Sequence, residues 1–282
     1  MKILWISDFS LTHNIGGAQR SNQLIIEEGK KRQYTIQEFN YNTDPNSLNQ
    51  DYDLVISCNL EVLSKHLPDI IKYISSRKKH IRLEHDANRY LSQEDRKQLF
   101  GSCVATFFLT KFHYDTFVKM YGDIFQNVTV IPDPINSALF YNHGTDRENK
   151  ILYIGYMHYL KGTNNFFQYI IENPSLNFAM ATWGDKQYRQ AAESLSNVEW
   201  LGNINYDDMP SLYNKYTTLF YHPVGFEPFC RSVGEALMCG MEINSNDLIG
   251  SIHHYKQVGH TTFVQQCNEA AQTFWNTVEN TL

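Results

Sequence analysis

The 282-residue chain contains no run of 18 consecutive apolar residues, which argues against a spanning helix. It has no CxxC pair: its five cysteines, at 58, 103, 230, 239 and 267, are odd in number and far apart. That spacing excludes a zinc ribbon and a disulfide framework and suits a reducing compartment. The start, MKILWISDF, carries one lysine and a strand-like run without the apolar core and small-residue cleavage site of a leader, so the expected location is cytoplasmic. A lone sequon at 127–129 reads as chance. Also missing are a Walker loop, a GxGxxG fingerprint and a GxSxG elbow. Low-complexity tracts and solenoid repeats are absent as well.

What is present describes an ordered globular protein: 42% hydrophobic, 14% aromatic and 19% charged residues. The net charge of -6 is unevenly spread. Residues 1–140 hold 16 Lys/Arg and 16 Asp/Glu, whereas residues 141–282 hold 8 and 14. The basic clusters, at 30–32 and 77–82, all fall in the first half, so an anionic partner would meet that half if either. A neutral half is nevertheless a weak base for duplex binding.

Apolar runs at 2–7, 33–39, 53–58, 80–84, 104–109 and 128–132 read as strands, with helices over 18–31 and 60–76. The stiff segment 132–136 (PDPIN) breaks this pattern. It restarts with strands at 151–156, 177–184, 197–203, 217–223 and 241–245. Helices are expected near 161–172, 185–195, 207–215, 229–239 and 267–280. Buried strands separated by helices predict an α/β protein of two Rossmann-like domains with parallel sheets facing across a cleft. The expected boundaries are 1–135, 136–265, and a C-terminal helix at 266–282 packing back toward the first domain. Ligands in such folds sit outside the carboxyl ends of the strands.

Four groups of residues could carry chemistry there. Gly16 and Gly17 follow the first strand, where glycine lets backbone approach a ligand and helix amides stay available to an anion. Lys161 follows the strand at 151–156 and could meet a diphosphate as a point charge. Glu227 precedes a helix whose first amides, at Phe229, Cys230 and Arg231, would face an anion. Glu235 lies in that helix's second turn, where a carboxylate can accept two sugar hydroxyls. His85 ends the 80–84 strand and could donate to a sugar or phosphate, with Asp86 orienting it. The DxD spacing of Asp51 and Asp53 reads instead as a polar entry to a strand, and no metal site is expected.

The stretch 227–240, EPFCRSVGEALMCG, resembles the Glu-x7-Glu signature of retaining GT-B glycosyltransferases, the family 4-like group, whose form is E-P-F-G-R-x-x-x-E-A-x-x-x-G. GGA at 16–18, EHD at 84–86, VIPDPIN at 130–136, YIGYMHYLKG at 153–162 and VEWLGNINYDDMPSLY at 198–213 match in order and spacing. The resemblance implies a metal-independent hexosyl or pentosyl transferase with no cofactor. A nucleoside-diphosphate sugar, UDP- or GDP-linked, would be its co-substrate. It implies that the second domain binds the donor: Glu227 contacts the sugar, Glu235 the ribose and Lys161 the diphosphate. Gly16 and Gly17 would lie beside phosphate and acceptor, and His85 would face the transferred sugar. The acceptor expected is a glycan or lipid-linked glycan, with membrane contact at most peripheral. A modified DNA base is the alternative acceptor; a sugar-nucleotide 2-epimerase and an inactive sugar-nucleotide-binding module are the alternative functions. Two departures stand out. Tyr156 occupies the place of a family arginine, and Glu242 puts an acid where the family has an apolar residue, close to the expected nucleotide end.

Overall fold

The computed structural model describes residues 1–12, 16–86 and 90–282. It separates into two compact units, one of residues 1–134 with 266–282, the other of residues 135–265.

Unit 1 holds six strands: β1 (Lys2–Ile6), β2 (Thr35–Phe39), β3 (Leu54–Ser57), β4 (His80–Leu83), β5 (Ala105–Phe108) and β6 (Val128–Val130). All pair in parallel, in the order β2-β1-β3-β4-β5-β6. Every residue of β3, β4 and β5 is buried, as expected of parallel strands covered on both faces. Helices α1 (Gly17–Lys31), α2 (Glu61–His66), α3 (Ile70–Ser75), α4 (Gln93–Gly101) and α5 (Lys111–Tyr121) connect them. Leu4, Ile6, Phe39 and Val55 form one core with Leu63, Ile70, Ile71 and Ile74.

The expected helix over 60–76 is two helices. Pro68 disfavours αR at Leu67, which adopts φ -126 and ψ 82 and ends α2. Helices α4 and α5, unanticipated from periodicity, begin at polar caps. Ser92 Oγ accepts the Asp95 amide at 3.0 Å, and Thr110 Oγ1 accepts that of His113 at 3.0 Å.

Unit 2 holds β7 (Glu148–Met157), β8 (Phe178–Gly184), β9 (Val198–Trp200), β10 (Tyr216–Tyr221) and β11 (Glu242–Ser245), all parallel, in the order β11-β10-β7-β8-β9. Its helices are α6 (Thr163–Glu172), α7 (Lys186–Glu193), α8 (Met209–Lys215), α9 (Arg231–Met238) and α10 (Gly250–Val258). The aromatic core joins Tyr153, Phe166, Phe178 and Phe220 to Met157, Ile170 and Met180.

The last helix, α11, runs His260–Thr281, longer than the expected 267–280. Its distal part belongs to unit 1, where the Trp275 indole donates to the Ile25 carbonyl at 2.7 Å. Phe274 packs on Trp5 and Phe107 in the same unit. No helix among the described residues is long and apolar enough to cross a membrane.

Candidate donor site in unit 2

In unit 2 the strand order reverses between β7 and β10, and a ligand crevice is expected outside the carboxyl ends of those two strands. The chain after β7 makes a 3-10 turn, Tyr159–Lys161, and then Gly162 at φ +79. A Cβ at Gly162 would sit 2.0 Å from the His222 carbonyl oxygen, so only glycine lets this turn lie against the backbone leaving β10. That close approach brings two distant candidates together: Lys161 Nζ is 2.7 Å from Glu227 Oε1. Lys161 stays 44% exposed while the Glu227 side chain is 16% exposed. The Tyr221 hydroxyl donates to the same Oε1 at 3.3 Å.

The loop from β10 to α9 is pinned by backbone. The Glu227 amide donates to the Leu248 carbonyl, and the Glu227 carbonyl accepts from Gly250. Phe229 is buried and stacks on Phe263, ring centroids 6.1 Å apart. Cys230 caps α9 at φ +66, a left-handed conformation in the place the resembling signature fills with glycine. The amides of Phe229 and Cys230 make no hydrogen bond among the described residues. Burial, with the Glu227 carboxylate adding to it, pushes the Cys230 thiol up to about 12, so it stays protonated and is no nucleophile near neutral pH.

Glu235 is placed differently from the open carboxylate expected. It is buried, and Oε1 accepts from Arg231 Nε at 2.8 Å and from the Tyr206 hydroxyl at 3.0 Å, while Oε2 accepts from the Tyr213 hydroxyl at 3.2 Å. Arg231 also donates from Nη2 to the Tyr206 oxygen at 3.0 Å, so its guanidinium is directed into this network. Burial raises the Glu235 pKa despite the partly offsetting effect of Arg231 and both tyrosines. Tyr206 and Tyr213 were not singled out from sequence, although both lie in the matching stretch 198–213. Their signal was the requirement that a buried carboxylate have donors.

Two other readings need correction or placement. Glu242 opens β11 opposite Thr218, on the amino-terminal side of the sheet, and so lies away from the carboxyl ends. Tyr156, near the end of β7, pairs in register with Trp183 of β8; both are about half exposed, with ring centroids 6.2 Å apart.

In unit 1, Gly16 caps α1 and Gly17 is its first residue, at the carboxyl end of the sheet as expected. His85 follows β4, buried, with Nε2 3.0 Å from Asn22 Oδ1 and Nδ1 3.7 Å from Asp133 Oδ1. The predicted orienter, Asp86, instead accepts from the Asn59 side-chain amide. Burial, reinforced by Glu84, raises the Asp86 carboxyl to about 7. Glu84 itself is structural: Oε2 accepts from Arg82 Nη2 at 2.9 Å, and Oε1 takes the amides of His85 and Asp86 at 3.0 Å each. Asp53 accepts the Lys2 amide at 2.7 Å, at the amino edge of β1 and β3. No cluster of three metal-ligating side chains occurs among the described residues.

Comparison with known proteins agrees with this architecture. A UDP-bound structure of HepE from Anabaena superposes with a TM-score of 0.72 at 13% identity, covering 99% of this chain and 100% of that one. Sucrose-phosphate synthase from Thermosynechococcus elongatus gives 0.72 at 13% identity, covering 96% and 94%. A glycosyltransferase from Rickettsia africae gives 0.60 at 14%, covering 96% and 92%. At these identities the likeness is one of fold, and the shared fold is GT-B. No curated protein sequence matches. Residues 139–280, just over half of the chain, match the model of the glycosyl transferases group 1, and the chain belongs to that family.

Proposed function

We propose that the protein is a retaining, metal-independent glycosyltransferase that binds a nucleoside-diphosphate sugar on unit 2 and transfers the sugar to a glycan or lipid-linked glycan. The observation that carries this reading is the 2.7 Å pairing of Lys161 with Glu227 at the β7/β10 reversal. A cation for a diphosphate and an acid for sugar hydroxyls stand side by side, near two helix-start amides that have no acceptor among the described residues. Support also comes from HepE, whose structures hold UDP with glucose and UDP-glucose.

In this reading the diphosphate draws Lys161 Nζ away from Glu227, freeing that carboxylate for the donor sugar. The amides of 229–231 join Lys161 in stabilising negative charge as the bond from C1 to the diphosphate oxygen breaks. The acceptor oxygen bonds to C1 on the face the diphosphate leaves, and the acceptor proton passes to a departing phosphate oxygen. No residue is needed as a covalent nucleophile. Glu235 takes the ribose, whose hydroxyls replace the Tyr206 hydroxyl on Oε1; Arg231 stays as the buried counter-charge. Unit 1 receives the acceptor and contributes His85, Gly16 and Gly17.

The test is a thermal-shift panel of UDP-, GDP-, ADP-, CDP- and TDP-sugars, followed by turnover with the stabilising donor. A true donor raises the melting temperature by mass action, and the anomeric proton coupling of the product reports retention. Lys161→Ala should lower turnover tenfold or more. Wild-type turnover in that variant, or inverted product, overturns the reading.

A further inference from the structure

Both acids of the donor site are held by the protein's own cations: Glu235 by Arg231 at 2.8 Å and Glu227 by Lys161 at 2.7 Å. The two members of the second pair differ in freedom. The Glu227 backbone is fixed from both sides, its amide on the Leu248 carbonyl and its carbonyl under the Gly250 amide, and its side chain is mostly buried. Lys161 reaches it from a turn that Gly162 seats against His222, on a long flexible stem that is nearly half exposed. An anion entering the site therefore moves the lysine, and the carboxylate stays where it is.

Little remains on that carboxylate once Lys161 has gone. No other cation pairs with Glu227 among the described residues, and the Tyr221 hydroxyl, at 3.3 Å from Oε1, is the donor left to it. A mostly buried carboxylate with one long hydrogen bond is unfavourable. Glu227 thus competes with an incoming anion for Lys161, and the outcome depends on what else the anion carries. A bare nucleoside diphosphate takes the lysine and offers Glu227 nothing. The same diphosphate bearing a sugar brings hydroxyl donors, which a carboxylate accepts. Exchange with the sugar present leaves both charged groups partnered; exchange without it leaves Glu227 short.

We propose that Glu227 sets the preference of this site for a nucleotide sugar over the sugar-free nucleoside diphosphate, by taking Lys161 back whenever sugar hydroxyls do not occupy it. Sugar and diphosphate then bind with positive coupling through the ion pair. Once the sugar has been transferred, Lys161 returns to Glu227 and the remaining diphosphate is loosened. This rests on the donor reading above and gives the ion pair itself a role in that site.

The test is a double-mutant cycle on the full chain, read by calorimetry. UDP, GDP, ADP, CDP and TDP are titrated into the parent, Glu227→Gln, Lys161→Ala and the double variant. The glucose, galactose and mannose esters of the nucleotide that binds follow. Circular dichroism checks each fold, and a second cycle uses Glu227→Ala. Removing the Glu227 charge should tighten the nucleoside diphosphate about threefold, the scale of a partly exposed ion pair. In the Lys161→Ala background the same substitution should leave affinity unchanged, because no lysine is left to compete for. At least one hexose ester should gain less than the bare nucleotide, or weaken. Unchanged or weaker nucleoside-diphosphate binding on removal of the charge overturns the proposal. Equal tightening in both backgrounds overturns it too, since that is direct repulsion between carboxylate and phosphate, as does an equal gain by the nucleotide and all its esters. A parent that binds none of the nucleoside diphosphates overturns the donor reading instead.

Discussion

Replacing Gly162 by Ala adds a single methyl group at the point where the Lys161 turn meets the end of β10. The backbone is left-handed there, φ +79 and ψ 22, which costs an L-residue about 1–2 kcal/mol. The new Cβ would also lie 2.0 Å from the His222 oxygen and 2.6 Å from its carbon, a clash with backbone that no rotamer relieves. Overpacking of this kind adds about 1–3 kcal/mol. Restricting the unfolded chain returns about 0.4–1 kcal/mol. The net expectation is a loss of about 2–4 kcal/mol in urea unfolding. Because the turn must move away from His222, Lys161 should also leave Glu227, and nucleoside-diphosphate affinity should fall in the folded variant. Gly225→Ala is the control: nothing lies within 4 Å of its added Cβ, and its stability should stay within about 0.5 kcal/mol of the parent. Equal unfolding midpoints for Gly162→Ala and Gly225→Ala would refute the argument that this contact sets the Lys161–Glu227 geometry.

Other substitutions test neighbouring parts of the account. Cys230→Gly should be more stable than Cys230→Ala by about 1 kcal/mol, reversing the usual helix preference, since only alanine keeps the left-handed strain at φ +66; chemical denaturation reads the order. Tyr206→Phe removes the hydroxyl that shares Glu235 Oε1 and should tighten nucleoside-diphosphate binding a few-fold by calorimetry; no change would indicate that Glu235 does not hold the ribose. Asp86 at about 7, above its ordinary 3.8, keeps a proton in the folded state that the unfolded chain has lost. Its contribution is therefore complete below about pH 4 and is lost as pH rises through 7, at most on the order of 4 kcal/mol. Asp86→Asn should remove that fall, so the variant's stability relative to the parent should increase between pH 4 and 8. Arg82→Leu leaves the Glu84 carboxylate buried without its cation and should cost about 3–5 kcal/mol in denaturant unfolding.

The strands were legible because parallel strands covered on both faces are written as short apolar runs, and β3 and β5 are nearly nothing else. Helices were read from periodicity, which fails where few residues are buried: α4 buries only Leu99 and Phe100. Its start was nonetheless written in Ser92-Gln93-Glu94-Asp95, a capping signal that periodicity ignores. Lys161 and Glu227 were nameable from local motifs, but their contact depends on Gly162 lying against His222, 60 residues away, which no local pattern encodes. The same limit hid the partners of buried charge. That Glu235 would take Tyr206 and Tyr213, and that His85 would turn to Asn22 and Asp133 rather than to Asp86, follows from packing between elements. Glu242 was misplaced for a related reason: a residue's distance from a motif in sequence does not say which end of a parallel strand it occupies.

Calorimetric titration of the parent protein and Lys161→Ala with the nucleoside diphosphate of the stabilising donor tests the donor site most directly. The account predicts saturable one-to-one binding by the parent and a tenfold or greater loss in the variant, with its fold intact by circular dichroism. Equal affinity in the two proteins, or no binding by the parent, would contradict it.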